Sequence, residues 1–134
     1  MNILVADDDK VVLRSCTRVL EAEGHRVFPA INALKALEIL ESQSLDLALV
    51  DMVMPQYNGT YLIEECRKKW PHLPILVMSG YPTPETISSG IRAGASRFLA
   101  KPFTPDELLE AVDKALEGPR EEQGDGDETG FGDR

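Results

Sequence analysis

Five short apolar runs alternate along the chain with five stretches whose apolar residues recur every three or four positions. The runs cover residues 3–6, 26–28, 47–50, 75–78 and 97–100. They are short, partly β-branched and in several cases bounded by turn residues, which predicts strands. Between them, Val12, Cys16, Val19 and Leu20 repeat at helical spacing, as do Ala33, Leu37 and Leu40. Leu62, Ile63 and Cys66 form a third stripe, and Leu108, Val112, Ala115 and Leu116 a fifth. Thr104 before Pro105 predicts an N-cap with proline at the first helical position. The fourth helix, expected over Pro84–Ala93, has only Ile87 and Ile91 as a stripe. Ser88, Ser89 and Gly90 interrupt it, which makes it the element expected to shift most easily.

Strict alternation of strand and helix predicts a (βα)5 doubly wound parallel sheet, covered by helices on both faces. The second and fifth strands are the most polar and suit the sheet edges. The order 2-1-3-4-5, the flavodoxin-like arrangement, puts them there.

Composition narrows the function. At 134 residues the chain suits one domain with a sizeable core. A net charge of −9 argues against nucleic acid as a direct partner. Cys16 and Cys66 lie in helical stretches without metal-ligand spacing and read as reduced core thiols, which favours the cytoplasm. No apolar run is long enough to span a bilayer, and the N-terminus lacks the pattern of a signal peptide. Residues 1–118 read as the folded domain. Residues 119–134, rich in glycine and acids, read as a tail that cannot bury enough to order itself; a linker to a missing domain is the alternative.

The strand ends carry the chemistry. In open α/β sheets, ligands bind beyond the carboxyl ends of the strands, where the strand order reverses. Here the first strand ends in Asp7, Asp8 and Asp9, and the third in Asp51. Ser79 ends the fourth, and Lys101 with Pro102 the fifth. Taken singly, each has an ordinary role. Asp9 reads as the N-cap of the first helix, Ser79 as a turn residue and Lys101 as a surface lysine. Taken together they place several carboxylates, a hydroxyl and an ammonium at one mouth. Clustered carboxylates need a cation, and a hard divalent ion such as Mg²⁺ suits oxygen ligands that also leave room for a phosphate. A metal, a lysine and a hydroxyl around one carboxylate are what phosphoryl transfer onto that carboxylate requires.

These residues resemble the receiver domain of two-component response regulators over about residues 1–118. The motifs are ILVADDD (3–9), VDMVMP (50–55) followed by Gly59, VMSG (77–80) and GASRFLAKPF (94–103). The resemblance implies that Asp51 accepts the phosphoryl group, that Asp8 ligates the metal directly and that Asp7 acts through water. Asp51 itself and the backbone carbonyl of Val53 complete the metal set, filled by Mg²⁺ or by Mn²⁺ in its place. It implies that Ser79 is the switch hydroxyl, Lys101 the phosphate-pairing lysine and Phe98 the switch aromatic. Lys101–Pro102 is implied to be a cis peptide. Val53 and Tyr81, two residues past Asp51 and Ser79, flank the path of the attacking water, and their bulk is expected to slow hydrolysis. The implied partners are a histidine kinase or phosphotransfer protein and an unknown output protein. The contact face is built by the fourth helix, fifth strand and fifth helix, in a monomer or a phosphorylation-dependent dimer. No catalysis is expected beyond phosphoryl transfer to and from Asp51. A receiver cut from a longer regulator or hybrid kinase is the alternative reading.

Other functions on the same architecture are a flavin carrier and an aspartyl-nucleophile hydrolase. Three aspartates after the first strand would repel a flavin phosphate. A valine stands where the hydrolase needs its acid/base carboxylate. A receiver that never takes phosphate is a third.

Overall fold

The central apolar runs become strands because they are buried from both sides, whereas the edge runs are only partly covered. The computed structural model describes residues 1–56 and 58–117. Its strands are β1 (Asn2–Ala6), β2 (Arg26–Ala30), β3 (Leu47–Asp51), β4 (Ile75–Ser79) and β5 (Arg97–Ala100). Alternating with them are α1 (Lys10–Ala22), α2 (Ala33–Ser42), α3 (Gly59–Lys69), α4 (Pro84–Ala93) and α5 (Pro105–Glu117). All pairings are parallel, in the order β2-β1-β3-β4-β5. The two central strands β3 and β4 are buried at every position, as parallel strands between helical layers must be. β2 runs two residues past its expected end and includes Pro29. A proline inside a strand argues against its extension; here it sits on the sheet edge, where its missing N–H leaves no ladder bond unmade.

The strand side chains divide the core. Ile3, Val5, Leu49, Leu76 and Met78 face α1 and α5, whose Leu13, Cys16, Leu20, Leu108 and Val112 close over them. Leu4, Ala6, Val50, Ile75 and Val77 face α2 and α3, meeting Ala36, Leu40, Leu62, Ile63 and Cys66. Both cysteines are buried.

Caps fix where the helices begin. The Asp9 carboxylate accepts hydrogen bonds from the amides of Val11 and Val12, so the expected cap is the observed one. Thr104 and Glu107 form a reciprocal capping box at the start of α5: each side chain accepts from the other's amide, at 3.1 and 2.8 Å. The buried faces differ in detail from the stripes read in the sequence. On α1 the face centres on Leu13, Cys16 and Leu20, and on α2 on Ala33, Ala36 and Leu40. On α4 the only fully buried residue is Gly90, whereas Ile91 is 57% exposed. α4 therefore lies on the sheet through a residue without a side chain. A Cβ at Gly90 would meet Met52 and Val77 at ordinary contact distance. The expected tail, residues 119–134, lies outside the described residues.

Candidate functional site

The reversal of strand order falls between β1 and β3. Their last residues open onto one mouth, because parallel strands in register end on the same side. Ala6 pairs with Val50 and Asp51 with Met78, so Asp7, Asp51 and Ser79 follow one another across the sheet. Backbone bonds tie the ends together. The Met52 amide donates to the Met78 carbonyl at 2.9 Å, and the Lys101 amide to the Ser79 carbonyl at 2.8 Å.

Asp7, Asp51 and Ser79 are the buried polar residues of the described chain. Each is held by short local bonds. Asp7 Oδ1 accepts from the Asp9 amide at 2.9 Å. Asp51 Oδ1 accepts from the Val53 amide at 3.3 Å, and Ser79 Oγ from the Tyr81 amide at 3.0 Å. Lys101 Nζ bridges the two buried carboxylates, 2.8 Å from Asp7 Oδ2 and 3.3 Å from Asp51 Oδ2. The Lys101–Pro102 peptide is cis. Asp8 is exposed, yet one carboxylate oxygen from each of Asp7, Asp8 and Asp51 lies within 4.8 Å of the others. Phe98 is half-buried at the edge of the α2–α3 core, beside Val77 in the β4–β5 register. Val53 and Tyr81 are 61% and 71% exposed on loops leaving the mouth.

Charge does not balance here. With its three carboxylates ionised the cluster keeps two negative charges after Lys101 is counted. Burial first, then the Asp7 charge, pushes Asp51 up to about 6, even though Lys101 and the Val53 amide pull it down. For Lys101 burial acts downward. The Asp7 hydrogen bond and the Asp51 and Asp7 charges outweigh it, so the net shift is upward and the ammonium persists at neutral pH. A hard divalent cation with oxygen ligands fits this donor set: it supplies the two missing charges and lifts the penalty on Asp51.

Every residue expected from the sequence at the mouth is there: Asp7, Asp8, Asp51, Ser79 and Lys101. Two features escaped that reading. One is the closeness of Gly59 to the acceptor strand: a Cβ on it would lie 2.4 Å from the Asp51 carbonyl oxygen and 2.8 Å from Met52 Cα. The Gly59 amide also donates to the Met52 carbonyl at 3.0 Å, so α3 starts directly on the end of β3. The other is Arg67. Its guanidinium donates to the Gly94, Trp70, Pro71 and Leu73 carbonyls, reaching 2.7 Å at both Gly94 and Leu73. Nothing in the run Arg67-Lys68-Lys69 separates the arginine from its exposed neighbours. Only the carbonyls left over by two chain segments, the loop after α3 and the end of α4, do.

The chain is similar to known proteins in sequence and in fold. The DNA-binding transcriptional regulator NtrC of Azospirillum brasilense is 39% identical over 114 residues, covering 85% of this chain and 24% of that protein. Response regulator MprA of Mycobacterium avium is 36% identical over 109 residues, covering 81% of this chain and 48% of that protein. The chain thus spans from a quarter to a half of the length of these curated relatives. Among solved structures, a CheY-like response regulator receiver domain protein from Methanospirillum hungatei superposes with a TM-score of 0.83 at 34% identity, over 92% of this chain and 98% of that one. The receiver domain of NtrX from Brucella abortus gives 0.82 at 34% identity, over 87% and 99%. The family model described as the response regulator receiver domain matches residues 3–113, and the chain belongs to that family.

Proposed function

We propose that the chain is a phosphoacceptor switch in which Asp51 takes a phosphoryl group from a histidine kinase or phosphotransfer protein and the α4–β5–α5 face passes the change to an output protein. The observation that carries this reading is the convergence of Asp7, Asp8 and Asp51, within 4.8 Å of one another, with an ammonium bonded to two of them. An Asp51 carboxylate oxygen forms the new bond to phosphorus as the donor's phosphorus–nitrogen or phosphorus–oxygen bond breaks. Lys101 is already at Asp51 and has only to turn toward the incoming phosphoryl oxygens. Asp7, Asp8, Asp51 and the Val53 carbonyl would hold Mg²⁺, whose charge offsets that of the phosphoryl group when bound. Ser79 gives up its bond from the Tyr81 amide to donate to a phosphoryl oxygen, and Phe98 moves into the space it leaves. That is population shift between two packings.

Residues 1–118 form the unit that does this. The greater length of the relatives also supports the reading that the same unit serves as the receiver of a larger regulator. The test is mass spectrometry of the full chain treated with acetyl phosphate and Mg²⁺. One added phosphoryl group, absent from Asp51→Asn and absent with chelator, is expected; label that survives Asp51→Asn would overturn the assignment. In the same assay Tyr81→Ala is expected to shorten the phosphoryl lifetime severalfold, as water gains access. An unchanged lifetime would remove Tyr81 from that role.

A further inference from the structure

The helices of this acidic chain pair most of their lysines. Lys35, Lys68, Lys69 and Lys114 each reach a glutamate. α1 is the exception. Lys10, Arg14 and Arg18 stand one turn apart on it, all exposed, and among the described residues none has a carboxylate within ion-pair distance. Residues four apart share a helix face, so the three make one continuous basic stripe. Between that stripe and β2 runs a groove of about 340 Å³, lined by the three cations with Leu13, Thr17 and Pro29. It has a cationic rim and a floor that is partly apolar. The segment that suits it is anionic and carries an isolated apolar side chain.

One part of the chain has that composition. Residues 119–134 hold six acids against two arginines, and a lone Phe131 stands between Gly130 and Gly132 with Asp127, Glu128 and Asp133 nearby. The segment follows α5, which packs beside α1 over the same half of the core. Phe131 lies fourteen residues past Glu117, a reach of about 45 Å when extended. α1 has 13 residues, making it about 20 Å long and about 10 Å across. The groove is therefore within reach, and attachment to the same chain gives an effective concentration of the order of millimolar.

We propose that residues 119–134 dock on the basic face of α1, with the acids along Lys10, Arg14 and Arg18 and Phe131 on the groove floor. Docking through exposed ion pairs is shallow and salt-sensitive. The stripe begins one residue past Asp9 and runs along α1 away from the Asp51 mouth, so only its Lys10 end meets the rim.

Paramagnetic relaxation on the full chain tests this. A nitroxide on Thr129→Cys leaves the buried, high-pKa thiols of Cys16 and Cys66 unlabelled. The expected result at about 20 mM salt is at least about twofold loss of amide signal across residues 10–18, relative to α3. The loss should reverse at about 0.5 M salt, in Arg14→Glu/Arg18→Glu, and in a tail variant with its six acids neutralised. The tail variant leaves the folded domain untouched, so misfolding cannot imitate its effect. Signal loss on α1 no greater than on α3, or loss that persists in the tail variant, overturns the proposal. So does equal loss when labelled protein is mixed with an unlabelled, isotope-enriched copy, because a second molecule is then the occupant.

Discussion

Asp51 is an ionised group kept where ions are expensive. Its folded pKa of about 6 lies above the 3.8 of the free side chain because burial and Asp7 outweigh Lys101. The folded state therefore binds a proton that the unfolded chain has released between about pH 4 and 6. Stability drains away as pH rises through that window, and the cost is complete above it. Metal-free Asp51→Asn should accordingly be more stable than wild type at pH 7.5, by on the order of 2–3 kcal/mol, and no more stable at pH 3.5. Urea midpoints at the two pH values check both the size and the sign. At this scale the sequence was most legible where chemistry is local. A carboxylate ending an apolar run, next to a second strand ending in acids, has few purposes besides shared charge. Arg67 was illegible because its partners are backbone carbonyls from two segments, and carbonyls leave no mark in a sequence.

Elements are set by which residues bring them close, and two glycines mark opposite cases. Gly59 has no room: its Cβ would press on the Asp51 carbonyl. Gly59→Ala should cost about 3 kcal/mol or more by overpacking, and it should also disturb phosphoryl acceptance, because the strain falls on the acceptor's own peptide. Gly90 has room, with its nearest neighbours at 3.7 and 3.9 Å. Gly90→Ala should stabilise the protein by up to about 1 kcal/mol through helix propensity. Chemical denaturation of the two variants should move the midpoint in opposite directions. The sequence marked α4 as the helix with the poorest apolar stripe, from its serines and glycine. It misplaced the buried face, since a helix that packs through glycine hides its contact behind an absence of side chain. The reading of β2 fell short for a related reason: Pro29 signals an ending, and only the edge position makes it tolerable.

Across the whole molecule, fold and site came from the same alternation. Five strands, five helices and one reversal of order decide which loops face each other before any contact is known. The same geometry predicts a metal response. If the acidic cluster holds Mg²⁺ in the folded state only, saturation about a hundredfold above its dissociation constant adds about 2.7 kcal/mol and several degrees to the Tm. Asp7→Asn/Asp8→Asn should lose that rise, which calorimetry with and without chelator measures. No helix of the described residues is long and apolar enough to cross a membrane.

The guanidinium of Arg67 pins the carbonyl at the C-terminal end of α4, where Gly94 holds φ at 123° and leaves no space for a Cβ beside the arginine. The bonds at the opposite end of α4 stay local: the Thr83 and Thr86 hydroxyls and nearby amides bond within residues 81–87. A rod tied to another element at one end and only to its own loop at the other is expected to swing rather than slide. On the proposed function, a rearrangement at the mouth is expected to reach α4 as an angular movement about Gly94, smallest at that end and growing along the rod to its widest arc at Pro84.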